Sequence, residues 1–210
     1  STRVHANYPL ASMNFTLYRK LLRSEQWYKN LVIFIPLLFA ETESIQPFTK
    51  IVIGFIGFCA ISSVSYIIND WVDRKKDALH PIKKNRPIAA GKIREKEILI
   101  VIFLLMMIVV GTSKELGLFY GTLMVIYGVS STLYSFGLKN IPLVDLILIS
   151  FHFVLRMLGG MAQLPTTTMW LYFLTIFVLI IFFLTHKRRS DYKILEGKNL
   201  DHKPVLKFYT

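Results

Sequence analysis

The chain has 210 residues, 53% of them hydrophobic, with a formal net charge of +12 and a mean hydropathy of +0.48. That is more apolar surface than one soluble core of this size needs to bury, which excludes an ordinary soluble domain and makes lipid the expected solvent. The basic residues fall in blocks between apolar runs, an arrangement that excludes a nucleic-acid binder and points to anionic headgroups and anionic substrates.

Read in chain order, residues 1–28 form a polar, basic lead-in with no small-residue cleavage site, so no signal peptide is expected. From Thr16 to Lys29, Leu17, Leu21, Leu22 and Trp27 are interleaved with Arg and Lys, which suits a helix lying in the membrane interface. Six stretches then approach the roughly 20 apolar residues that cross a bilayer: 29–46, 50–71, 96–113, 115–136, 141–163 and 167–186. The first is interrupted by Pro36, which a membrane helix tolerates where neighbours satisfy the freed carbonyl. Cys59, the only cysteine, lies inside the second span; no internal disulfide can form, and a small buried hydrophobe is the expected role. Gly117 and Gly121 form a small-xxx-small pair, read as a helix-packing face.

The loops set the orientation, because Lys and Arg near span ends stay in the cytoplasm. Arg19, Lys20, Arg23 and Lys29 precede span one, eight bases from Arg74 to Arg94 separate spans two and three, and Lys187, Arg188, Arg189 and Lys193 follow span six. The alternate connections carry Glu41 and Glu43, or no charge at all between Gly159 and Thr168. All basic blocks therefore fall on one side. The expectation is one all-α, polytopic membrane helix bundle over 1–210 with both termini inside.

Where span two leaves the membrane the chain reads Asn69, Asp70, Asp73, Asp77, His80, Pro81, Lys83, Arg86, Pro87, Gly91. If the helix continues to Leu79, the three carboxylates fall within about 60° of one another on one face. Three such charges repel unless a cation sits among them, and hard oxygen ligands suit Mg²⁺, which binds through one or two carboxylates plus substrate phosphates. The bland alternative is a solvated helix end whose acids pair with Arg74, Lys75 and Lys76. Pro81 stops the helix, and residues 72–95 are expected to form a cytoplasmic substrate-binding loop. In it Lys83, Lys84 and Arg86 reach for phosphate oxygens opposite the metal, Arg86 as a bidentate fork.

Span five carries Asp145, His152 and Arg156 within about 40° on one face. Charges inside a span usually face a cavity, although a structural polar seam explains them as well, and His152 alone is best read as a satisfied core histidine. Lys139, at the entrance to this span, is a candidate headgroup contact. The run Lys187, Arg188, Arg189, Ser190, Asp191 after span six is either a membrane-stop signal or an anion-binding cluster.

These residues resemble the UbiA superfamily of membrane prenyltransferases, whose first signature, N-D-x-x-D-x-x-x-D, reads here Asn69, Asp70, Asp73, Asp77. The stretch from Asp77 through His80, Lys83 and Arg86 to Gly91 is similar to the branch of 5-phosphoribosyltransferases acting on polyprenyl phosphate. So are residues 26–30, 134–139 and 153–156. Where ordinary members carry a second aspartate motif, Lys187-Arg188-x-x-Asp191 resembles the K-R-x-x-E of that branch. The resemblance implies Asp70, Asp73 and Asp77 as metal ligands and catalytic residues, with Asn69, His80, Lys83, Arg86, Lys139, Asp145, Arg156, Lys187, Arg188 and Asp191 binding substrate. It also implies Mg²⁺-dependent transfer of phosphoribose from 5-phosphoribosyl 1-pyrophosphate to a polyprenyl phosphate, in contact with membrane lipids and without nucleic acid; a homo-oligomer stays open. Members usually have nine spans against six here, so a piece of a longer protein or a short natural chain is expected. Prenyl transfer from an isoprenoid diphosphate to an aromatic acceptor, and a scaffold or transporter without chemistry, remain alternatives.

Overall fold

A computed structural model of the chain describes residues 15–40, 45–141, 143–164 and 170–194. It is all-helical: α1 (Phe15–Leu22), a 3₁₀ segment (Ser24–Phe39), α2 (Gln46–Ala78), α3 (Glu95–Leu116), α4 (Leu118–Phe136), α5 (Val144–Met161) and α6 (Trp170–Ile194). Each of the six expected spans has a helical counterpart, and α2, α3 and α5 are long and apolar enough to cross a membrane. The protein is an integral membrane helix bundle.

Two boundaries differ from expectation. The interfacial helix closes at Leu22, and Trp27 belongs to the next element, where its Nε1–H donates to Ser63 Oγ at 3.0 Å. Arg23 makes the turn between them in the left-handed region, φ 49 and ψ 45, uncommon for a residue with a Cβ. The segment Ser24–Phe39 then runs as a 3₁₀ helix containing Pro36. Its continuous apolar part is residues 31–39, which at about 2.0 Å of rise per residue reach only about 18 Å, short of the hydrocarbon thickness; residues 24–30, with Glu25 and Lys29, are polar.

α2 is the centre of the bundle. Pro47 opens it, and Lys75 and Lys76 close it on the favourable end of the helix dipole. It packs against the 3₁₀ segment, α3 and α4, with Phe58, Ile67 and Tyr120 fully enclosed. Small residues permit that approach. A Cβ at Gly57 would run into the Tyr120 hydroxyl and lie 2.6 Å from Thr112 Oγ1. One at Gly159 would meet Phe58 Cε2 at 2.6 Å, and one at Gly160 would strike the Ile33 carbonyl oxygen. Membrane helices associate by such packing because lipid removes the hydrophobic drive between them. Gly160→Val is therefore expected to wedge the 3₁₀ segment away from α5 and lower stability by about 1–3 kcal/mol, read as a drop in the unfolding midpoint in detergent.

The small-xxx-small expectation is corrected at Gly117. This residue joins α3 directly to α4 with φ 91, and a Cβ there would touch nothing within 4 Å, so it is a turn residue rather than a packing surface. Gly121 does face a helix, 3.5 Å from Ser113 Cβ. Cys59 is free and buried as expected, and its sulfur accepts from Asn30 Nδ2 at 3.2 Å.

Candidate functional site

One end of the bundle brings together the α1–3₁₀ turn, the end of α2, the connection at 79–94 and the short turn before α5 (Leu138–Asn140). As the pattern of α2 requires, Asn69, Asp70, Asp73 and Asp77 all sit on its last turns. Asp70 and Asp77 are buried, at 3% and 2% exposure, in a structure where carboxylates need partners.

Those partners come from three different elements. Arg23 Nη2 lies 2.5 Å from Asp70 Oδ1, and its guanidinium stacks 5.2 Å from the centre of the Tyr66 ring. Arg86 Nη1 contacts Asp70 Oδ1 at 3.1 Å and Asp77 Oδ2 at 2.5 Å, bridging the two acids, while Lys83 Nζ stands 3.9 Å from Asp77. Lys139 Nζ donates to Asp73 Oδ2 at 2.6 Å and to Asn69 Oδ1 at 3.2 Å. The site thus divides into an Asp70–Asp77 pair sharing Arg86 and an Asn69–Asp73 pair sharing Lys139. Lys139 turns onto the carboxylate cluster rather than out to headgroups. Arg74 is occupied elsewhere, donating to the Trp71 carbonyl at 2.8 Å and lying over its ring. The acids are therefore met by bases from distant elements rather than by their helical neighbours.

His80 orders the connection: its Nδ1 accepts the backbone N–H groups of Ile82 at 3.1 Å and Lys83 at 3.3 Å. Because Nδ1 accepts, it carries no proton there. The Lys83–Asn85 turn that follows ends at Arg86, whose N–H donates back to the Lys83 carbonyl, so the fold of this loop aims Arg86 at α2.

Sequence reasoning treated Arg23 as one of several lead-in bases, yet it is the shortest contact to Asp70. The one signal in the sequence is indirect: a carboxylate at the end of a buried helix requires a counter-charge, and the basic lead-in supplies candidates without distinguishing them. Asn30, also passed over, is the hub of an interior network. It is 1% exposed, and its Oδ1 accepts from Arg156 Nε at 2.6 Å and Ser62 Oγ at 3.3 Å.

Span five splits accordingly. Arg156 is 4% exposed and donates to Asn30, to the Tyr127 hydroxyl at 2.7 Å and to the His152 carbonyl at 2.8 Å. These contacts set Arg156 in an interior polar seam, one of the two readings its span allows. His152 Nε2 pairs with Ser130 Oγ at 2.9 Å against the Tyr127 ring, as expected for a satisfied core histidine. Asp145 is buried in the first turn of α5. Lys187, Arg188 and Asp191 lie on α6, and their side chains are outside the described residues.

Among the described residues no three His, Cys, Asp or Glu side chains converge on one point suited to a metal ion. The donor chemistry nevertheless fits Mg²⁺. That ion takes one or two carboxylates plus phosphate oxygens, and Asp70 and Asp77 already hold one cationic nitrogen between them.

The comparisons with known proteins bear on the family and the fold. The model of the UbiA prenyltransferase family matches residues 30–205. An uncharacterised protein of Sinorhizobium fredii is 34% identical over 140 residues, 66% of this chain and 27% of that one. The decaprenyl-phosphate phosphoribosyltransferase of Mycolicibacterium smegmatis is 29% identical over 197 residues, 91% of this chain and 62% of that one. The present chain thus spans less than two thirds of these relatives' length. Among solved structures, a UbiA homolog from Archaeoglobus fulgidus bound to GPP and Mg²⁺ superposes with a TM-score of 0.74 at 22% identity, covering 90% of this chain and 68% of that one.

Proposed function

The chain belongs to the UbiA prenyltransferase family of membrane transferases, and from that membership we propose that it transfers 5-phosphoribose from 5-phosphoribosyl 1-pyrophosphate to a polyprenyl phosphate, releasing pyrophosphate at the cytoplasmic face. The observation that carries this reading is the acidic end of α2 ringed by Arg23, Lys83, Arg86 and Lys139. It is a cluster of hard oxygen donors with phosphate-binding cations at its rim. Similarity to decaprenyl-phosphate phosphoribosyltransferases over 91% of the chain supports this donor within the family.

Asp70 and Asp77, with Asp73 and Asn69 beside them, would hold Mg²⁺ against the donor pyrophosphate, where it would supply Lewis-acid stabilisation of the leaving group. Arg86 and Lys83 take pyrophosphate oxygens, Arg86 as a fork. Lys139 positions Asp73. Lys187 and Arg188, with Asp191, are assigned the 5-phosphate on their motif; this basic pair is what a prenyl diphosphate donor, with nothing charged at its far end, has no use for. The acceptor phosphate is already anionic, so the attack needs no strong general base. The substrate-binding loop expected at 72–95 narrows to the connection at 79–94, because α2 continues to Ala78 and α3 starts at Glu95; His80 sets its turn and Asp145 supports the adjacent entrance.

The test offers protein in native membranes two labelled donors, phosphoribosyl pyrophosphate with polyprenyl phosphate, and a prenyl diphosphate with an aromatic acceptor. Transfer from the first alone is expected; transfer from the second alone overturns the choice of donor. Arg188→Ala is expected to raise the KM for phosphoribosyl pyrophosphate by about tenfold or more, about the net worth of a charged hydrogen bond. An unchanged KM removes Arg188 from the 5-phosphate.

A further inference from the structure

One guanidinium nitrogen, Arg86 Nη1, touches both Asp70 and Asp77, at 3.1 and 2.5 Å. Those acid side chains are 4% and 3% exposed, so the space between them is a single enclosed cation position. A Mg²⁺ ion needs carboxylate oxygens at about 2.0–2.1 Å, and the place where both acids offer them is the place Nη1 fills. Two cations at one point repel strongly. Occupancy by the guanidinium and by the metal therefore exclude each other.

The second arginine on Asp70 is held differently. Arg23 stacks on Tyr66, pairs with Asp70 at 2.5 Å, and stands on a left-handed backbone turn anchored on both sides, by buried Leu21 and by the Trp27–Ser63 bond. Arg86 belongs to the connection at 79–94, where exposed Pro81, Ile82, Lys84 and Asn85 lead into it and buried Pro87 and Ile88 follow it. Of the two, Arg86 is the less tethered, anchored on one side where Arg23 is anchored on both.

We propose that Arg86 is a resident counter-ion that hands over: it neutralises Asp70 and Asp77 before the donor arrives and passes to the pyrophosphate oxygens when metal and donor enter together. The inference rests on the metal reading above and adds to it. Metal alone must expel a bonded guanidinium that then has no partner, so it binds weakly. Metal with a diphosphate gives the expelled guanidinium a bidentate acceptor, so each ligand raises the affinity of the other by the same factor. A residue that merely bound phosphate would leave metal-only affinity untouched when removed.

That difference supplies the test. The full chain in detergent is titrated with Mn²⁺ alone and with preformed Mn²⁺–pyrophosphate, binding being followed by calorimetry. Arg86→Gln is expected to bind Mn²⁺ alone about tenfold tighter than the parent and Mn²⁺–pyrophosphate about tenfold weaker, the scale of one charge-assisted contact. Arg86→Lys keeps the point charge and loses the fork, so its Mn²⁺ affinity stays within about threefold of the parent while Mn²⁺–pyrophosphate weakens about fivefold. Should Arg86→Gln fold poorly, Arg86→Met, which fills similar space without the charge, is read against the same expectation. Metal-only affinity that is unchanged or lower in Arg86→Gln, or equal losses for both probes in Arg86→Lys, overturns the handover while leaving the metal reading intact. Failure of the parent chain to bind Mn²⁺–pyrophosphate at all overturns both.

Discussion

Asp73→Asn is expected to lower Mg²⁺-dependent transfer by about a thousandfold, about 4 kcal/mol in the barrier, while the protein stays inserted and folded. Asp73 is the accessible acid of the set, its side chain 23% exposed where those of Asp70 and Asp77 are nearly enclosed. An asparagine there keeps an oxygen to accept from Lys139 and loses only the charge. The chemistry is thus separated from the architecture. Transfer of labelled phosphoribose into lipid, measured beside the helical circular dichroism of the same preparation, makes the comparison, and full activity in the variant would remove Asp73 from the metal.

Asp70→Ala has the opposite character and is expected to cost about 3–5 kcal/mol of stability, because truncating one member of an enclosed ion cluster strands its partners. Arg23 and Arg86 both lean on this carboxylate, at 2.5 and 3.1 Å, and neither is more than about a quarter exposed at the side chain. Arg23 also stands on an unfavourable backbone conformation that its ion pair helps to hold. The loss should show as a lower unfolding midpoint and as early proteolysis at the α1–3₁₀ turn. A variant with the parent's midpoint would mean that the cluster is not a structural tie.

The contrast between these acids shows what was legible in the sequence. Apolar run lengths and the alternation of basic loops located every described span, since bilayer thickness and charge asymmetry act on contiguous residues. The one-sided placement of Asp70, Asp73 and Asp77 followed from helical periodicity alone. Their partners did not, because pairing depends on contacts between elements: Arg23 reaches Asp70 across 47 positions and Lys139 reaches Asp73 across 66. The same distance hid Asn30, which meets Arg156 across 126 positions in an interior seam. The Gly117–Gly121 spacing misled for a local reason. A small residue serves both a close contact and a left-handed turn, and spacing cannot tell them apart.

The single-residue joint at Gly117 governs how the bundle can rearrange. With no slack between them, α3 cannot slide along its axis without dragging α4, so the two act as one rigid leaf fixed to α2 through Tyr120 and Thr112. The longer connection at 79–94 joins α2 to α3 at the opposite end, beside the acidic cluster, and is itself pinned to the bundle by buried Pro87, Ile88 and Ile93. The fold in this way welds α3 to α4 at one end and places the largely exposed stretch at 81–85 at the end that carries the acids.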